Sequence, residues 1–217
     1  SLAWFLYMML DRLRYLAVPH GDQFLWHNIY LANVGVRHRV AVSLPELLGA
    51  DAIAADTLAQ LETAATLQAR PDGTQVEQSP SYHSVSLHHL CWPALLRRRN
   101  GLEVSAGYLD TIRRMAGVMQ AWQTPAGRVP PVSDSFPVDV GHALALPSLC
   151  LPDVHLGGAE PNAADHLSLP ADLLAADRDQ PATELPPKNV ALPDGGYYMM
   201  RSGWNRGAVY LIFDAGV

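Results

Sequence analysis

Apolar residues recur every three or four positions through the first half of the chain, the spacing of one face of an α-helix. Residues 2–17 show this pattern first and are predicted to form a core helix. A second helix is predicted over about 23–36, with Asp22 as its N-cap. Its apolar face also carries Asn28. A polar amide on such a face has to find hydrogen-bond partners or line a cavity.

Two further helices follow from capping signals and periodicity. Ser43 and Glu46 have the spacing of a capping box, which predicts a helical region to about Gln68 with a break at Gly49. Residues 105–122 repeat the helical spacing. Because only short loops separate the predicted helices, neighbouring helices are expected to be antiparallel and to form helical hairpins.

The stretch DGTQVEQSPSYHSVSLHHL, residues 72–90, passes from a glycine-containing loop into a helix. Ser79 can cap this helix and Pro80 fits its first turn, so the helix is predicted to run to about Arg98 with a kink at Pro93. Tyr82 and His83 then fall in the first turn, next to the loop that carries Glu77. Polar side chains at a helix start can be held rigidly at the rim of a cleft, where the helix dipole favours anions.

From Thr124 the pattern loses its helical period. The loop TPAGRVPPVSDSFPVDVGH carries Asp134 and Asp139, and a short helix is predicted over 138–150. Proline, aspartate and glycine then dominate, with one short helical piece predicted near 168–177. The segments GYYMMRSGW and GAVYLIFDAG predict two strands around a turn at 204–206.

These patterns divide the chain into three parts. Residues 1–150 are predicted to be a helical domain truncated at its N-terminus, residues 151–190 an inter-domain linker, and residues 191–217 the start of a β domain. Because the chain starts and stops inside predicted elements, we expect it to be a fragment of a longer protein.

Composition narrows the class of partner. The chain has 217 residues and a formal net charge of −6, with only short runs of Lys and Arg. Nucleic acid is therefore excluded as an expected partner, because its binding relies on clustered cations. An acidic ligand that needs only a few local cations stays open. The apolar stretch LAWFLYMML is too short for a membrane span and lacks the basic leader of a signal peptide.

Several polar residues could carry chemistry, and each also has a plainer interpretation. His27 with Asn28 suits a satisfied polar pair, Tyr82 suits packing, and Asp134 suits an Asx turn. The histidines at 83, 88 and 89 lack the spacing of a metal motif, as do Cys91 and Cys150. No phosphate-binding, dinucleotide-binding or nucleophile-elbow motif is present.

Taken together, three segments resemble one family. DGTQVEQSPSYH is similar to a loop and helix start of the heparinase II/III-like polysaccharide lyases, which include relatives acting on alginate and heparan sulfate. LPDGGYYMMRSGW with AVYLIFDAG resembles the opening of that family's β-sandwich, and PPVSDSFP resembles a loop between the two domains. The resemblance implies a mainly α fold: an incomplete (α/α) toroid of helical hairpins, followed by the first strands of an antiparallel β-sandwich, with the active-site cleft between them.

The resemblance also implies eliminative cleavage of a uronic-acid polysaccharide. Tyr82 matches the family's catalytic tyrosine, and Asn28, or His27 in its place, corresponds to the group that binds the uronate carboxylate. Eliminating next to an anionic carboxylate needs a neutral amide or a cation to stabilise the developing charge, and a base and an acid for the two proton transfers. Tyr82 can serve if nearby cations, with His27, His83 and Arg37 as candidates, lower its pKa. The predicted substrate-binding residues are His83, Glu77, Arg37 and Asp134.

The implied partner is an acidic polysaccharide or oligosaccharide, and the implied location is periplasmic or secreted. The family's further histidine and the zinc site of its sandwich would follow Val217, so no cofactor is expected in this chain. Two other functions stay open: a glycoside hydrolase that uses Glu77 with Asp134 or Asp139, and a non-catalytic sugar-binding module. The uronate polymer, the mode of attack and the oligomeric state are not specified by the sequence.

Overall fold

The computed structural model describes residues 27–154, 156 and 185–216, together with residues 4, 5, 7–9 and 11, which are helical. The described part of the chain contains five bounded helices, which are α1 (Asn28–Ser43), α2 (Ala50–Gln68), α3 (Pro80–Arg99), α4 (Ala106–Trp122) and α5 (Val140–Cys150). The mainly α class predicted from the sequence is confirmed. The predicted helical piece near 168–177 and the predicted start of the second helix lie outside the described residues.

Side-chain caps fix where three of these helices begin. Ser79 Oγ accepts a hydrogen bond from the Tyr82 backbone N–H at 3.4 Å, and Pro80 lies in the first turn, as predicted. Ser105 Oγ accepts from the Tyr108 N–H at 3.2 Å and starts the helix predicted over 105–122. Asp139 caps α5 in the same way. A capped start sets the first turn in place, which is where Tyr82 lies.

The boundary between α1 and α2 corrects two predictions. α1 continues to Ser43 instead of ending near residue 36, so the predicted capping box at Ser43 and Glu46 is wrong. The C-terminal half of α1 combines arginines with buried residues such as His38, and this mixture hid its helical period in the sequence. Gly49 has a φ of 82° and precedes α2, so the predicted break there is confirmed.

The helices form two layers around one core. α1, α3 and α5 pack side by side, and α2 and α4 cover them. All five helices contribute fully buried apolar side chains to this core, and these include Leu31, Leu61, Leu87, Ile112, Met115 and Leu144. The parallel run of α1 and α3 brings their N-terminal ends to the same end of the helical layer, together with the loop that precedes α3.

Two small antiparallel sheets complete the described structure. β1 (Arg128–Val129) pairs with β2 (Val138–Asp139) and closes the loop that contains Asp134. β3 (Asn189–Leu192), β4 (Tyr197–Arg201) and β5 (Tyr210–Asp214) form a three-stranded sheet in that order. The last two strands are those predicted around the turn at 204–206. β3 was not predicted, because its start fell in the stretch interpreted as a linker.

The three-stranded sheet is packed directly on the helical layer. Alternate residues of β4 are buried, and Tyr197 lies edge-on to Trp122 of α4 with a centroid distance of 5.1 Å. The Arg201 guanidinium donates hydrogen bonds to the carbonyl oxygens of Ala121 and Pro187. It also stacks on Trp204, 4.4 Å from the ring centroid. These contacts fix the sheet to the C-terminal end of α4. No described helix is both long and apolar enough to cross a membrane.

Buried histidines are expected to make the free energy of unfolding depend on pH. Burial lowers the pKa of His83 to about 4, and burial with the nearby Arg97 charge lowers the pKa of His38 to about 4. Between about pH 6.5 and that value the unfolded chain binds more protons, so stability is complete above pH 6.5 and falls as the pH falls. The slope of the free energy of unfolding against pH should approach a value of roughly one proton per buried histidine.

Chemical denaturation at several pH values between 7 and 4.5 measures this dependence. In His38→Gln the pH slope should be smaller by about one proton, because the titrating group is gone. An unchanged slope in that variant would contradict the assignment of His38 as a buried neutral imidazole.

Candidate functional site

The loop between α2 and α3 is held from two sides. Gly73, with a φ of 91°, lies so close to α4 that an added Cβ would be 2.5 Å from the Arg114 carbonyl oxygen. On the other side, Asp72 accepts hydrogen bonds from the Thr74 side chain at 2.6 Å and the Gly195 N–H at 2.9 Å. Burial alone would raise the pKa of Asp72, but these hydrogen bonds and others lower it below its usual value. The loop is therefore positioned by α4 on one side and by the start of the three-stranded sheet on the other.

Asn28 and Glu77 meet beside the N-terminal ends of α1 and α3. The Asn28 side-chain amide donates to both Glu77 carboxylate oxygens, at 3.2 and 3.1 Å, and the Asn28 backbone N–H donates to Oε1 at 2.8 Å. Gln75 Nε2 donates to the same Oε1 at 2.9 Å, and Gln75 Oε1 accepts from the Glu77 N–H at 2.8 Å. The amide predicted on the apolar face of α1 is thus held by a carboxylate 49 residues away.

His27 precedes Asn28 as the N-cap of α1 and faces the same carboxylate. Its Nδ1 lies 3.6 Å from Glu77 Oε2, and its side chain is 49% exposed. The carbonyl oxygen of His27 accepts from Gln68 Nε2 at 2.9 Å, which anchors the turn. The structure therefore brings His27, Asn28 and Glu77 together.

Tyr82 extends from the first turn of α3 toward Asp134. Its hydroxyl donates to Asp134 Oδ2 at 2.9 Å. This hydrogen bond, together with the charges of Asp134 and Glu77, raises the pKa of Tyr82 above its usual value. The expectation that nearby cations lower this pKa is wrong for the described structure, because the groups around the phenol are carboxylates. Tyr82 consequently rests as a neutral phenol.

The Asp134 loop is tied to the start of α3. Ser79 Oγ donates to the Asp134 carbonyl oxygen at 2.6 Å, and the Ser81 N–H donates to Ser135 Oγ at 3.0 Å. Two residues of these loops that are not glycine have left-handed backbones, with φ of 55° at Gln78 and 52° at Ser133. Such conformations are costly and persist where surrounding contacts enforce them. The distance between Tyr82 and Asp134 is thus set by backbone contacts on both sides.

His83 does not face the cleft. Its Nε2 donates to the Met115 carbonyl oxygen at 2.9 Å, and its Nδ1 accepts from the Gln75 N–H at 3.3 Å. The ring lies edge-on to Trp122, is fully buried and stays neutral at neutral pH. His83 therefore supports the Gln75 loop and the core, and it supplies no positive charge to Tyr82.

Two other predicted residues also have partners elsewhere. Arg37 lies 3.6 Å from Asp56 of α2, on the side of α1 that faces the outer layer. Asp139 accepts from the His142 N–H at 3.1 Å as the cap of α5. The described residues include no group of three or more His, Cys, Asp or Glu side chains that could hold a metal ion.

Sequence reasoning missed two supporting residues. Gln75 donates to Glu77 and receives the Glu77 N–H, and only its position two residues before that glutamate could have suggested this. Tyr197 donates its hydroxyl to the Gln78 carbonyl oxygen across 119 residues. No local pattern identifies a contact of that sequence separation. The site therefore has a predictable centre and a support that depends on tertiary structure.

Comparison with known proteins gives the chain a context. The family model described as Heparinase II/III N-terminus matches residues 1–146. No curated protein sequence matches the chain.

Three solved structures are similar in fold. Heparan sulfate lyase HepC from Pedobacter heparinus is 22% identical with a TM-score of 0.67, and 99% of this chain aligns with 32% of that one. A heparinase III gene product is 20% identical with a TM-score of 0.75, over 99% of this chain and 32% of its own. Another heparinase III is 18% identical with a TM-score of 0.76, over 99% and 33%. The chain therefore spans about one third of the length of these proteins and has the fold of that part of them, which belongs to an α/α toroid followed by a β-sandwich.

Proposed function

The chain belongs to the Heparinase II/III N-terminus family, and from this membership we propose that it is part of a polysaccharide lyase. The proposed reaction is β-elimination in a glycan that contains uronic acid. A base removes the proton on the carbon next to the carboxylate, a carbon–carbon double bond forms, and the glycosidic carbon–oxygen bond breaks. The leaving oxygen then takes a proton. One observation carries the proposal: the Asn28 amide and the Tyr82 phenol lie at adjacent helix starts around Glu77.

Asn28 is assigned the task of stabilising the uronate carboxylate. As the proton leaves, negative charge builds on that carboxylate, and preorganised N–H donors stabilise such charge. The Asn28 amide has two N–H groups on a helical backbone, and Glu77 holds the amide in one orientation. A neutral donor suits this role because it lowers the energy of the dianion without itself titrating.

Tyr82 is assigned the proton transfer to the leaving oxygen. A phenol whose pKa is raised by Asp134 keeps its proton until a stronger base, such as a departing alkoxide, forms beside it. We assign the removal of the first proton to His27, which is half exposed beside Asn28. Glu77 lies against its Nδ1, and a carboxylate in that position fixes the tautomer and orientation of an imidazole. Tyr82 could perform both transfers only after losing its own proton.

Ultraviolet absorbance of the unsaturated uronide tests the function. The full-length protein would be incubated with separate polymers of glucuronate, mannuronate or guluronate and with heparan sulfate. Absorbance that rises with chain cleavage supports the lyase. Cleavage that produces new reducing ends without an unsaturated product would favour the hydrolase reading, and binding without cleavage would favour the sugar-binding module. The polymer that gives the fastest rise identifies the substrate, for which we propose a uronate polymer of low sulfation because Lys and Arg are few.

Asp134→Asn is expected to shift the pH dependence of turnover. Removing the Asp134 charge lowers the pKa of Tyr82, because the hydrogen bond to that carboxylate is the main cause of its rise. The phenol then loses its proton at a lower pH, so the alkaline limb of kcat against pH should move to lower pH. Measuring initial rates between pH 6 and 11 checks this expectation.

Asp110→Asn provides a matched control for that shift. Asp110 pairs with Arg113 and Arg114 on α4, so its replacement removes one charge of the same kind away from the cleft. The alkaline limb of kcat against pH for Asp110→Asn should coincide with that of the unaltered protein. An Asp134→Asn profile that also coincides would rule out control of Tyr82 by Asp134.

The cellular location is also a proposal. From membership of this family we propose a periplasmic or secreted protein. Fractionating the cells that produce it, with an antibody to this chain, measures the location. Recovery in the cytoplasmic fraction alone would count against it.

A further inference from the structure

A row of partly exposed side chains runs along α1 and α3, away from the candidate site around Asn28, Glu77 and Tyr82. The two helices lie parallel and close together. An added Cβ on Gly35 of α1 would be only 3.6 Å from the His89 carbonyl oxygen of α3. Partly exposed side chains follow one another on this face of α3 at positions 82, 85, 88, 89 and 92, between buried ones. Arg39 is partly exposed on α1 at the same level as His89 and Trp92. This row of side chains thus starts at Tyr82 and reaches a second polar group.

Arg39 is a cation without an anionic partner among the described residues. Its guanidinium carbon lies 5.6 Å from the centre of the Trp92 ring, so the charge is stacked on an aromatic face. Burial lowers the pKa of Arg39, and no other group contributes to that shift. Arg37, Arg113 and Arg114, by contrast, each form a salt bridge with an aspartate.

His89 lies beside this cation and is neutral, mainly because it is buried. Burial, the Arg39 charge and His88 together lower the pKa of His89 to about 4. The partly buried charge of Arg39 carries a desolvation cost, which an anion bound beside it would offset, and the same anion would favour the protonated form of His89. A planar guanidinium is suited to grip a carboxylate or a sulfate through two hydrogen bonds.

We propose that Arg39, His89 and Trp92 form a second subsite that binds the acidic group of a sugar several units along the chain from the one cleaved at Tyr82. This inference rests on the proposed function. His89 is two helical turns from Tyr82, about 11 Å along the axis, and Trp92 is about 15 Å away. Trp92 offers a flat apolar ring to a sugar face, and Arg39 offers charge to the carboxylate or sulfate.

Kinetics of Arg39→Gln in the full-length protein test the subsite. We expect KM for a uronate polymer to rise about tenfold with kcat nearly unchanged, because the interaction is equal in the ground and transition states. The KM of Arg39→Lys should fall between that of the unaltered protein and that of Arg39→Gln, because the charge stays and the planar stacking is lost. Arg113→Gln is the control: it removes an equal charge from an exposed arginine on α4 and should leave KM unaltered. Thermal unfolding of each variant shows whether it is folded, and His89→Gln serves as a second variant.

Direct binding separates this inference from the proposed function. Calorimetric titration with an unsulfated glucuronate oligosaccharide and with its sulfated counterpart is compared before and after Arg39→Gln, in a Tyr82→Phe background. Weakening for both ligands identifies a carboxylate as the bound group, and weakening for the sulfated ligand alone identifies a sulfate; either result supports the subsite. Unchanged Kd and KM alongside intact elimination would overturn the subsite and leave the function standing. Weaker binding after Arg39→Gln, in a protein that shows no elimination, would support the subsite and overturn the proposed function.

Discussion

Tyr82→Phe should lower kcat for uronate elimination by about 10³-fold, because a positioned proton donor contributes on that order to turnover. The change removes one hydroxyl whose hydrogen bond in the described structure is to the exposed carboxylate of Asp134. The ring of the phenylalanine can keep the position of the tyrosine ring. We therefore expect the loss to fall on kcat, with the melting temperature and the circular dichroism spectrum unaltered.

Tyr198→Phe is the matched control for this prediction. Tyr198 is exposed on β4 and lies against Phe213, away from the cluster around Asn28. Its replacement removes the same hydroxyl group and should leave elimination unaltered. If Tyr82→Phe retained more than about a tenth of the original kcat, the loss would be too small for a general acid and Tyr82 would have to be reassigned.

Gly73→Ala should lower the free energy of unfolding by about 3 kcal/mol, through backbone strain and a steric clash together. The φ of 91° at Gly73 is unfavourable for any residue with a Cβ. The added atom would also lie 2.5 Å from the Arg114 carbonyl oxygen, which belongs to the α4 backbone and cannot rotate away. The loop that carries Gln75 and Glu77 would have to move, so elimination should fall as well. Chemical denaturation gives the stability and ultraviolet absorbance the activity.

Gly101→Ala distinguishes the clash from the strain. Gly101 also has a left-handed backbone, with a φ of 68°, but an added Cβ there meets nothing within 4 Å. Only the conformational cost of about 1 kcal/mol applies, and elimination should be unaffected. Equal destabilisation in the two variants would show that contact with α4 adds nothing to the cost at Gly73.

Local sequence signals predicted the local structure around two residues of the candidate site, Tyr82 and Asn28. Ser79 and Pro80 mark the start of α3 in the sequence, and that start places Tyr82 in the first turn. The polar Asn28 among apolar neighbours predicted a partner or a cavity, and the structure supplies Glu77 as the partner. These inferences succeed because caps and helical periods depend on residues only a few positions apart.

Properties set by distant residues could not be predicted in the same way. The pKa of Tyr82 rises because Asp134, 52 residues away, reaches its hydroxyl, whereas sequence reasoning expected cations there. His83 follows Tyr82 directly, yet a rotation of about 100° around the helix points it into the core, to Met115. β3 was missed because a strand at the edge of a sheet is defined by its pairing with β4.

The tight contact between the three-stranded sheet and the loop before α3 limits how members of this family can exchange parts. An added Cβ on Gly195 would lie 2.5 Å from Thr74, one on Gly216 would lie 2.9 Å from Gln78 Oε1, and the Tyr197 hydroxyl donates a hydrogen bond to the Gln78 carbonyl oxygen. A chimera that joins this helical part to the sandwich of a relative would bring together two surfaces shaped separately. Recombination should therefore succeed only when the crossover lies before the helical loop or after the strands, so that residues 72–78 and 194–216 are inherited from one parent.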